Sequence, residues 1–147
     1  MKRDLGGGYE LDDAPERIDR EAVHEFLANH AYWAKGRARE TQDRLIDEAQ
    51  RVVGLYFMPT RSCSEDEKGR QIGFTRTSSD GNSYAYLADV YVLPEHRGRG
   101  LGLELARFSV DEGPYAQRKW LLHTEDAHDL YRKLGFGEPN YKVMERR

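Results

Sequence analysis

The fold is decided by the stretch Arg97-Gly98-Arg99-Gly100-Leu101-Gly102. It follows a predicted strand over 83–93, which Pro94 ends, and it opens a predicted helix over 101–112. Glycines let the backbone come close to a ligand, and the start of a helix offers free N–H groups and a positive dipole to an anion. The two arginines add positive charge at the same place. The stretch therefore predicts a phosphate-binding turn, rather than a tight turn whose arginines only face solvent.

Two widespread kinds of phosphate loop do not match this turn. A Walker loop ends in Gly-Lys-Ser/Thr, whereas this turn ends in Leu101-Gly102-Leu103. A dinucleotide fingerprint needs the spacing G-x-G-x-x-G, and counted from Gly98 and Gly100 the third position is Leu103. An unrelated nucleotide-binding domain that uses the same turn stays open as an alternative.

The elements around the turn predict a mixed α/β domain. Two helices, one from Ile18 and one over 38–50, are expected before three antiparallel strands over 52–58, 71–77 and 83–93. The helix after the turn is followed by a short strand over 120–124, a short helix over 127–134 and a last strand over 140–145. Strand, turn, helix and strand make one βαβ unit with parallel neighbours. We therefore expect a mixed, mostly antiparallel central sheet with flanking helices.

Length and composition limit the classes of function. The 147 residues fit one domain, predicted over 9–147, behind a flexible tail over 1–8 that contains three successive glycines. Lys and Arg number 23 and Asp and Glu 26, a formal net charge of −3, which argues against a general binder of nucleic acid or anionic membranes. No apolar segment is long enough to cross a bilayer, no export signal is visible, and the single cysteine, Cys63, cannot form an internal disulfide. These features predict a cytoplasmic protein.

Two motifs resemble the signature of the GNAT N-acetyltransferase superfamily. The first has the spacing R-x-x-G-x-G and is carried by Arg97, Gly100 and Gly102. The second, DAHDLYRKLGF over 126–136, resembles the family's segment A-x-x-L-Y-x-K-x-G-F. The order and separation of the motifs also fit, and the resemblance covers most of 9–145. Many members carry Asn at the place that Thr124 occupies here.

The resemblance implies transfer of an acetyl group from acetyl-coenzyme A to a primary amine by direct attack, without a metal. The residues that it implies for coenzyme binding are Val90, Tyr91 and Val92 for the pantetheine arm, Arg97, Gly98, Arg99, Gly100, Leu101 and Gly102 for the pyrophosphate, and Thr124 and Tyr131. Tyr131 is implied as the acid that protonates the leaving thiolate, although its ring would also pack well against Phe136. A non-catalytic module that binds coenzyme A as a ligand or sensor is the rival interpretation.

The acceptor side is predicted from Asp89, Tyr32 and Trp33. Asp89 is the only carboxylate in an otherwise apolar strand, so it is either a general base in a cleft or a structural carboxylate paired with an arginine. The two aromatic residues either line the acceptor pocket or pack the junction between the two N-terminal helices. A carboxylate beside aromatic faces suits a cationic amine, which can be a small molecule or a peptide. The oligomeric state stays open, with a homodimer allowed.

Overall fold

The computed structural model describes residues 1–59, 69–139 and 143–147. Within them, one sheet contains six strands whose order in space is their order in the chain. The strands are β1 (Lys2–Gly6), β2 (Tyr9–Asp12), β3 (Arg51–Phe57), β4 (Arg70–Ser79), β5 (Tyr84–Val92) and β6 (Lys119–Leu121). The α-helices are α1 (Arg20–His30), α2 (Arg39–Glu48), α3 (Leu101–Asp111) and α4 (His128–Arg132). None of the helices in these ranges is long and apolar enough to span a membrane.

The sheet is mixed, as the sequence predicts. Strands β1 to β5 pair antiparallel with their neighbours, and β6 runs parallel to β5. The parallel pair is joined through the glycine-rich turn and α3, which is the βαβ unit expected from the sequence. The predicted fold class is therefore confirmed.

Helices cover both faces of the sheet. Asp19 starts α1, because its carboxylate accepts a hydrogen bond from the Ala22 N–H at 3.0 Å. One face of the sheet packs against α1 and α2 through a cluster that includes Val23, Phe26, Leu27, Ile46, Val52, Phe74 and Tyr91. The other face packs against α3 through a cluster that includes Val53, Leu55, Ile72, Val92, Leu101, Leu105 and Phe108. Burial of these apolar side chains fixes α3, and with it the glycine-rich turn, against the end of β5.

The C-terminal end of α3 is held by the buried Arg51 on β3. Its Nη1 donates to the carbonyl oxygens of Phe108 and Ser109, each at 3.1 Å. Its Nε donates to the Asp13 carboxylate at 3.1 Å. The last carbonyls of a helix have no intrahelical partner and carry partial negative charge, so a guanidinium group is well suited to this place. Both ends of α3 are thus fixed relative to the sheet.

The predicted flexible tail over 1–8 is wrong. Residues 2–6 form β1, which pairs with β2 through Lys2 with Asp12, Arg3 with Leu11 and Asp4 with Glu10. The three glycines have φ values of 77°, 61° and 87°, so they form a tight turn between two strands and not a loose segment. The pairing across this turn depends on long-range sheet geometry, which the glycine run by itself does not reveal.

Two further expectations fall partly or wholly outside the described residues. The last predicted strand, over 140–145, includes three such residues, and the described residues 143–147 form no strand. Cys63 and most of the predicted loop after β3 lie outside the described ranges.

Candidate active site

A bulge in β5 opens the sheet beside β6. Phe74 pairs with Tyr91 and Arg76 pairs with Ala88, so two residues, Asp89 and Val90, stand opposite one residue of β4. Asp89 has a φ of 56°, which lies in the left-handed region that few residues other than glycine adopt. A bulge locally bends the strand that carries it, and the pairing of β5 with β6 stops before the bulge, at Tyr86.

A large cleft lies between β5 and the segment that follows β6. In the described part of the chain the two strands pair at three positions, the last joining Tyr86 to Leu121. Beyond this point lies a cleft of about 1230 Å³, lined by β5, the segment that follows β6, the glycine-rich turn, α4 and the loop after α1. This volume exceeds that of an ordinary small-molecule pocket, so the cleft can hold an extended ligand.

The glycine-rich turn forms one end of the cleft. Gly98 and Gly100 have φ values of 78° and 77°, and Gly100 precedes the first residue of α3. The first bond of the helix runs from the Glu104 N–H to the Gly100 carbonyl at 3.2 Å, so the N–H groups before it are free for a ligand. Gly98, Gly100, Leu101, Gly102 and Arg97 line the cleft. Arg99 is exposed and lies outside this lining, so the structure does not bring it to the site.

The edge of β5 provides backbone groups along one wall. The Leu93 N–H bonds to the Ile72 carbonyl on β4 at 2.8 Å. Because amide groups alternate in direction along a strand, those of Val90 and Val92 point to the cleft and those of Tyr91 point to β4. The Val92 carbonyl accepts from Arg97 Nε at 2.9 Å. This bond fixes the arginine side chain at the junction of strand and turn. Val90 is then the residue whose backbone N–H and carbonyl are both open to a ligand.

Tyr131 stands on the opposite wall, on α4. It is 8% exposed, and its ring meets that of Phe136 edge to face with the centroids 5.8 Å apart. Burial raises the pKa of Tyr131 to about 12, with smaller contributions in the same direction from Asp126 and Tyr32. The phenol therefore keeps its proton at neutral pH. The two roles considered for Tyr131 are compatible here, because it lines the cleft while its ring packs.

Thr124 also lines the cleft, between β6 and α4. Its Oγ1 accepts a hydrogen bond from the Ala127 N–H at 3.1 Å, which shapes the turn before α4. The hydroxyl proton is still available to a ligand. A single donor is what this position can offer in place of the amide found in many related proteins.

Tyr32 and Trp33 line the cleft beside Asp89. Their rings meet edge to face at 5.0 Å and are 50% and 43% exposed, so they do not pack the junction of α1 and α2. The Tyr32 hydroxyl accepts from the Glu125 N–H at 3.1 Å, which joins the loop after α1 to the loop after β6. The structure thus brings both aromatic residues to the cleft, where the sequence predicts them.

Asp89 lies at the same end but is enclosed by partners. Its side chain accepts hydrogen bonds from Trp33 Nε1 at 3.1 Å, Arg37 Nη1 at 3.0 Å and Arg76 Nε at 2.9 Å. Burial by itself would raise the pKa of Asp89, but the Arg76 and Arg37 guanidinium groups outweigh it and hold the pKa below its ordinary value. A carboxylate with a lowered pKa is a weak base, so this geometry opposes the predicted role of general base and favours a positioning role.

Sequence reasoning missed the two arginines that bind Asp89. Arg37 follows the aromatic pair, and Arg76 is on β4 across the bulge. A charged residue in an apolar strand signals that a partner exists, although it does not say which residue. Tyr86 and His123 were also missed as a pair: the Tyr86 hydroxyl and His123 Nδ1 share a hydrogen bond at the edge of the cleft.

The donors of the cleft fit acetyl-coenzyme A. The free N–H groups at the start of α3, with Arg97 and Lys133, match a phosphate-rich end, and the Val90 amide matches a peptide-like arm. In the described ranges, no group of three or more His, Cys, Asp or Glu side chains could hold a metal ion.

Comparisons with known proteins agree with this geometry. The family profile described as an acetyltransferase (GNAT) domain matches residues 61–138. A crystal structure of a candidate GNAT acetyltransferase from Xanthomonas campestris superposes with a TM-score of 0.80 and 31% identity, covering 95% of this chain and 92% of that one. The chain belongs to the GNAT acetyltransferase family.

Two other relatives of this GNAT protein extend the comparison. A protein of Gibberella zeae named as an acetyltransferase is 28% identical to this chain over an alignment of 142 positions, and the match covers 88% of this chain and 79% of that protein. A candidate acetyltransferase from Deinococcus radiodurans has the same fold, with a TM-score of 0.71 and 22% identity over 99% of this chain and 94% of that one. The cleft of the GNAT protein is therefore a candidate site for acetyl transfer.

Proposed function

We propose that this GNAT protein is an N-acetyltransferase that moves the acetyl group of acetyl-coenzyme A to a primary amine. The observation that carries the proposal is the cleft beside β5, which is lined by the glycine-rich turn and by the aromatic residues Tyr32 and Trp33. Family membership supports acetyl transfer, and the donors of the cleft support the coenzyme. The acceptor is a small molecule or a peptide.

The glycine-rich turn binds and orients the coenzyme. The free N–H groups from Gly98 to Gly102 and the positive end of α3 favour a pyrophosphate, and Arg97 adds a fixed positive charge. The Val90 amide pairs with the pantetheine arm in the manner of an added strand. Thr124 donates its hydroxyl proton to the same ligand.

The chemistry needs an acid at sulfur and an oriented amine. When bound, acetyl-coenzyme A supplies a thioester whose carbonyl carbon the neutral amine nitrogen attacks, so that an N–C bond forms and the C–S bond breaks. The proton that the nitrogen loses passes through solvent and ends on the sulfur of the released coenzyme. Tyr131 keeps its proton, because burial raises its pKa to about 12. Its O–H can therefore stabilise the leaving thiolate, whose thiol has a pKa of roughly 8.5 by analogy with cysteine, by donating a hydrogen bond to the sulfur. The backbone N–H groups at the bulge can polarise the thioester carbonyl as oxyanion donors. Asp89 orients Trp33, Arg37 and Arg76 around the acceptor.

The test is amine-dependent turnover. The protein is incubated with acetyl-coenzyme A and a panel of primary amines and short peptides. Release of the coenzyme thiol is followed against a protein-only blank that corrects for Cys63, and the acetylated product is identified by mass spectrometry. We expect both signals to depend on the amine. Tight binding of acetyl-coenzyme A with no acetylated product would instead support a non-catalytic coenzyme A module, and equal affinity for adenosine nucleotides would support an unrelated nucleotide-binding domain.

A further inference from the structure

The buried cluster around Asp89 carries more positive than negative charge. Asp89 is 4% exposed and accepts from two guanidinium groups, those of Arg37 and Arg76. No other carboxylate in the described part of the chain forms an ion pair with either arginine. An excess positive charge of this kind is costly in a half-buried place unless a ligand or solvent compensates it.

Both guanidinium groups are held in fixed positions. Arg37 Nη1 also donates to Gln42 Oε1 at 2.9 Å, and the Arg37 carbonyl bonds to His24 Nε2 at 2.8 Å. Arg76 Nη1 donates to Ser78 Oγ at 3.3 Å. The arginines therefore have less freedom than surface arginines, so binding a ligand costs them less conformational entropy.

Several donors of these arginines are unused and face the cleft. A guanidinium group has five N–H donors. Within the described ranges, Nε and Nη2 of Arg37 and Nη2 of Arg76 have no acceptor. None of these atoms is among the buried side-chain atoms that lack a partner, so they are accessible, and both side chains line the cleft. Their side chains are 17% and 13% exposed, which leaves a small opening that a ligand group can fill.

We propose that the acceptor of this acetyltransferase carries an anionic group, a carboxylate or a phosphate, and that Arg37 and Arg76 bind it. This inference rests on the proposed function. Guanidinium groups match oxyanions in a planar, two-bonded geometry, and such charge-assisted hydrogen bonds are the strongest that a neutral-pH site can form. The ligand supplies the second negative charge that the cluster lacks. The charge of the acceptor is thus the opposite of the one that Asp89 alone suggests.

The surroundings of the two arginines allow an anion. Among the described residues, the other carboxylates that line the cleft are Glu125, Asp126 and Glu145. Glu145 is paired with Arg147 at 2.7 Å, and Glu125 and Asp126 are exposed, so solvent screens their charge. The exposed rings of Tyr32 and Trp33 flank the same end and can contact the uncharged part of the acceptor.

The experiment compares amines that differ only in the anionic group. One arm contains ω-amino acids and their primary amides, and a second contains phosphoethanolamine and ethanolamine, so carboxylate and phosphate are tested separately. Each rate is divided by the fraction of free amine, because the anion changes the pKa of the amine. We expect kcat/KM for the anionic member of at least one arm to exceed that of its neutral partner by about tenfold or more.

Variants test whether the arginines cause the preference. Arg37→Gln and Arg76→Gln should each reduce the anionic-to-neutral ratio to near one. Arg39→Gln, which removes an exposed arginine paired with Asp43 outside the cleft, should leave the ratio unchanged. The double variant Asp89→Asn/Arg76→Gln removes one charge of each sign and guards against misfolding of the single variants. Retained stabilisation by acetyl-coenzyme A shows that each variant is folded.

The outcomes separate this inference from the function on which it rests. Equal or better use of the neutral amines, with amine-dependent thiol release intact, overturns the anionic acceptor and leaves the acetyltransferase. A preference that survives both arginine substitutions also overturns it. Absence of thiol release with every amine, while acetyl-coenzyme A still binds, overturns the proposed function and the inference together.

Discussion

The indole N–H of Trp33 donates to Asp89 Oδ1 across 3.1 Å, and this bond ties the loop after α1 to the bulge of β5. The two residues are 56 positions apart in the chain. The bulge and the loop both line the cleft, and the loop is the wall that we propose for the acceptor. With the Arg37 bond to Asp89 Oδ2 at 3.0 Å, the Trp33 bond fixes the loop relative to the strand whose backbone we assign to the coenzyme.

Trp33→Phe should weaken use of the acceptor more than binding of the coenzyme. The variant keeps an aromatic face but removes the N–H, so the loop loses one of its two bonds to Asp89 and keeps the one from Arg37. We expect the KM for the amine to rise by roughly three- to tenfold, the effect of one lost hydrogen bond. Trp120→Phe is the matched control, because it also removes an indole bond, to the Tyr115 carbonyl at 3.1 Å, outside the cleft. Equal changes in both variants would contradict the assignment.

Asp89→Asn should destabilise the protein in a manner that depends on pH. Asparagine tolerates the positive φ, so the change removes mainly the charge that pairs with Arg37 and Arg76. At neutral pH we expect a loss of about 3–5 kcal/mol in the free energy of unfolding, the usual cost of breaking a buried pair. The folded-state pKa of Asp89 is lowered from its ordinary 3.8. The contribution of its charge is therefore present above that value and disappears as the pH falls through the lower folded-state pKa.

Urea unfolding of the two proteins at a series of pH values checks this prediction. The difference in stability should be constant between pH 8 and 5, at about its full size, and should shrink below about pH 4. Groups that titrate alike in both proteins cancel in the difference. If the difference in the free energy of unfolding stayed constant down to strongly acidic pH, the shape of Asp89, and not its charge, would explain its role.

Tyr131→Phe should reduce kcat while leaving the coenzyme bound. The substitution removes the hydroxyl and keeps the ring that packs against Phe136. We expect turnover to fall by roughly tenfold to a thousandfold, with little change in affinity for acetyl-coenzyme A. Because the pKa of Tyr131 is raised to about 12, the phenol stays protonated across the assay range, so the loss should be the same factor from pH 6 to 9.

Tyr115→Phe provides the matched control for this substitution. Tyr115 is half-buried and lies outside the cleft, so losing its hydroxyl should not alter turnover. Full activity of Tyr131→Phe would mean that Tyr131 only packs against its neighbours and that its hydroxyl takes no part in turnover.

Gly100→Glu should abolish the response to acetyl-coenzyme A. The variant places a carboxylate where the turn offers N–H groups to a pyrophosphate. Gly100→Ala is the control, since both side chains carry the same backbone strain at a φ of 77° and a Cβ there meets no atom within 4 Å. At a hundredfold excess over Kd, the coenzyme should stabilise the wild type by about 2.7 kcal/mol. Thermal unfolding should show most of this stabilisation for Gly100→Ala and none for Gly100→Glu. Normal stabilisation of Gly100→Glu would mean that the phosphate groups bind at another place.

The parts of the site that sequence predicts are those encoded by neighbouring residues. The turn before α3 and the motif around Tyr131 are local patterns, and the periodicity of apolar residues identifies α1, α2 and β3 to β5 within a few residues. Asp89 shows the limit of prediction from the sequence. An aspartate in an apolar strand signals a hidden partner, but Arg37 and Arg76 are 52 and 13 positions away and reach it only through the tertiary fold. The residues beside Asp89 are not typical of turns, so the sequence predicts neither the bulge nor the positive φ.

Strand order has a consequence for how the molecule opens. Strands β3, β4 and β5 are long antiparallel neighbours, whereas β6 has three residues and is held by the weaker parallel pairing. The segment that carries β6 and α4 is therefore the least anchored wall of the cleft, and it should detach in sub-global fluctuations while the hairpins stay formed. A ligand that binds both this wall and β5 holds the two together. Coenzyme loading would then suppress local opening of the segment that bears Tyr131, and amide exchange there would slow most.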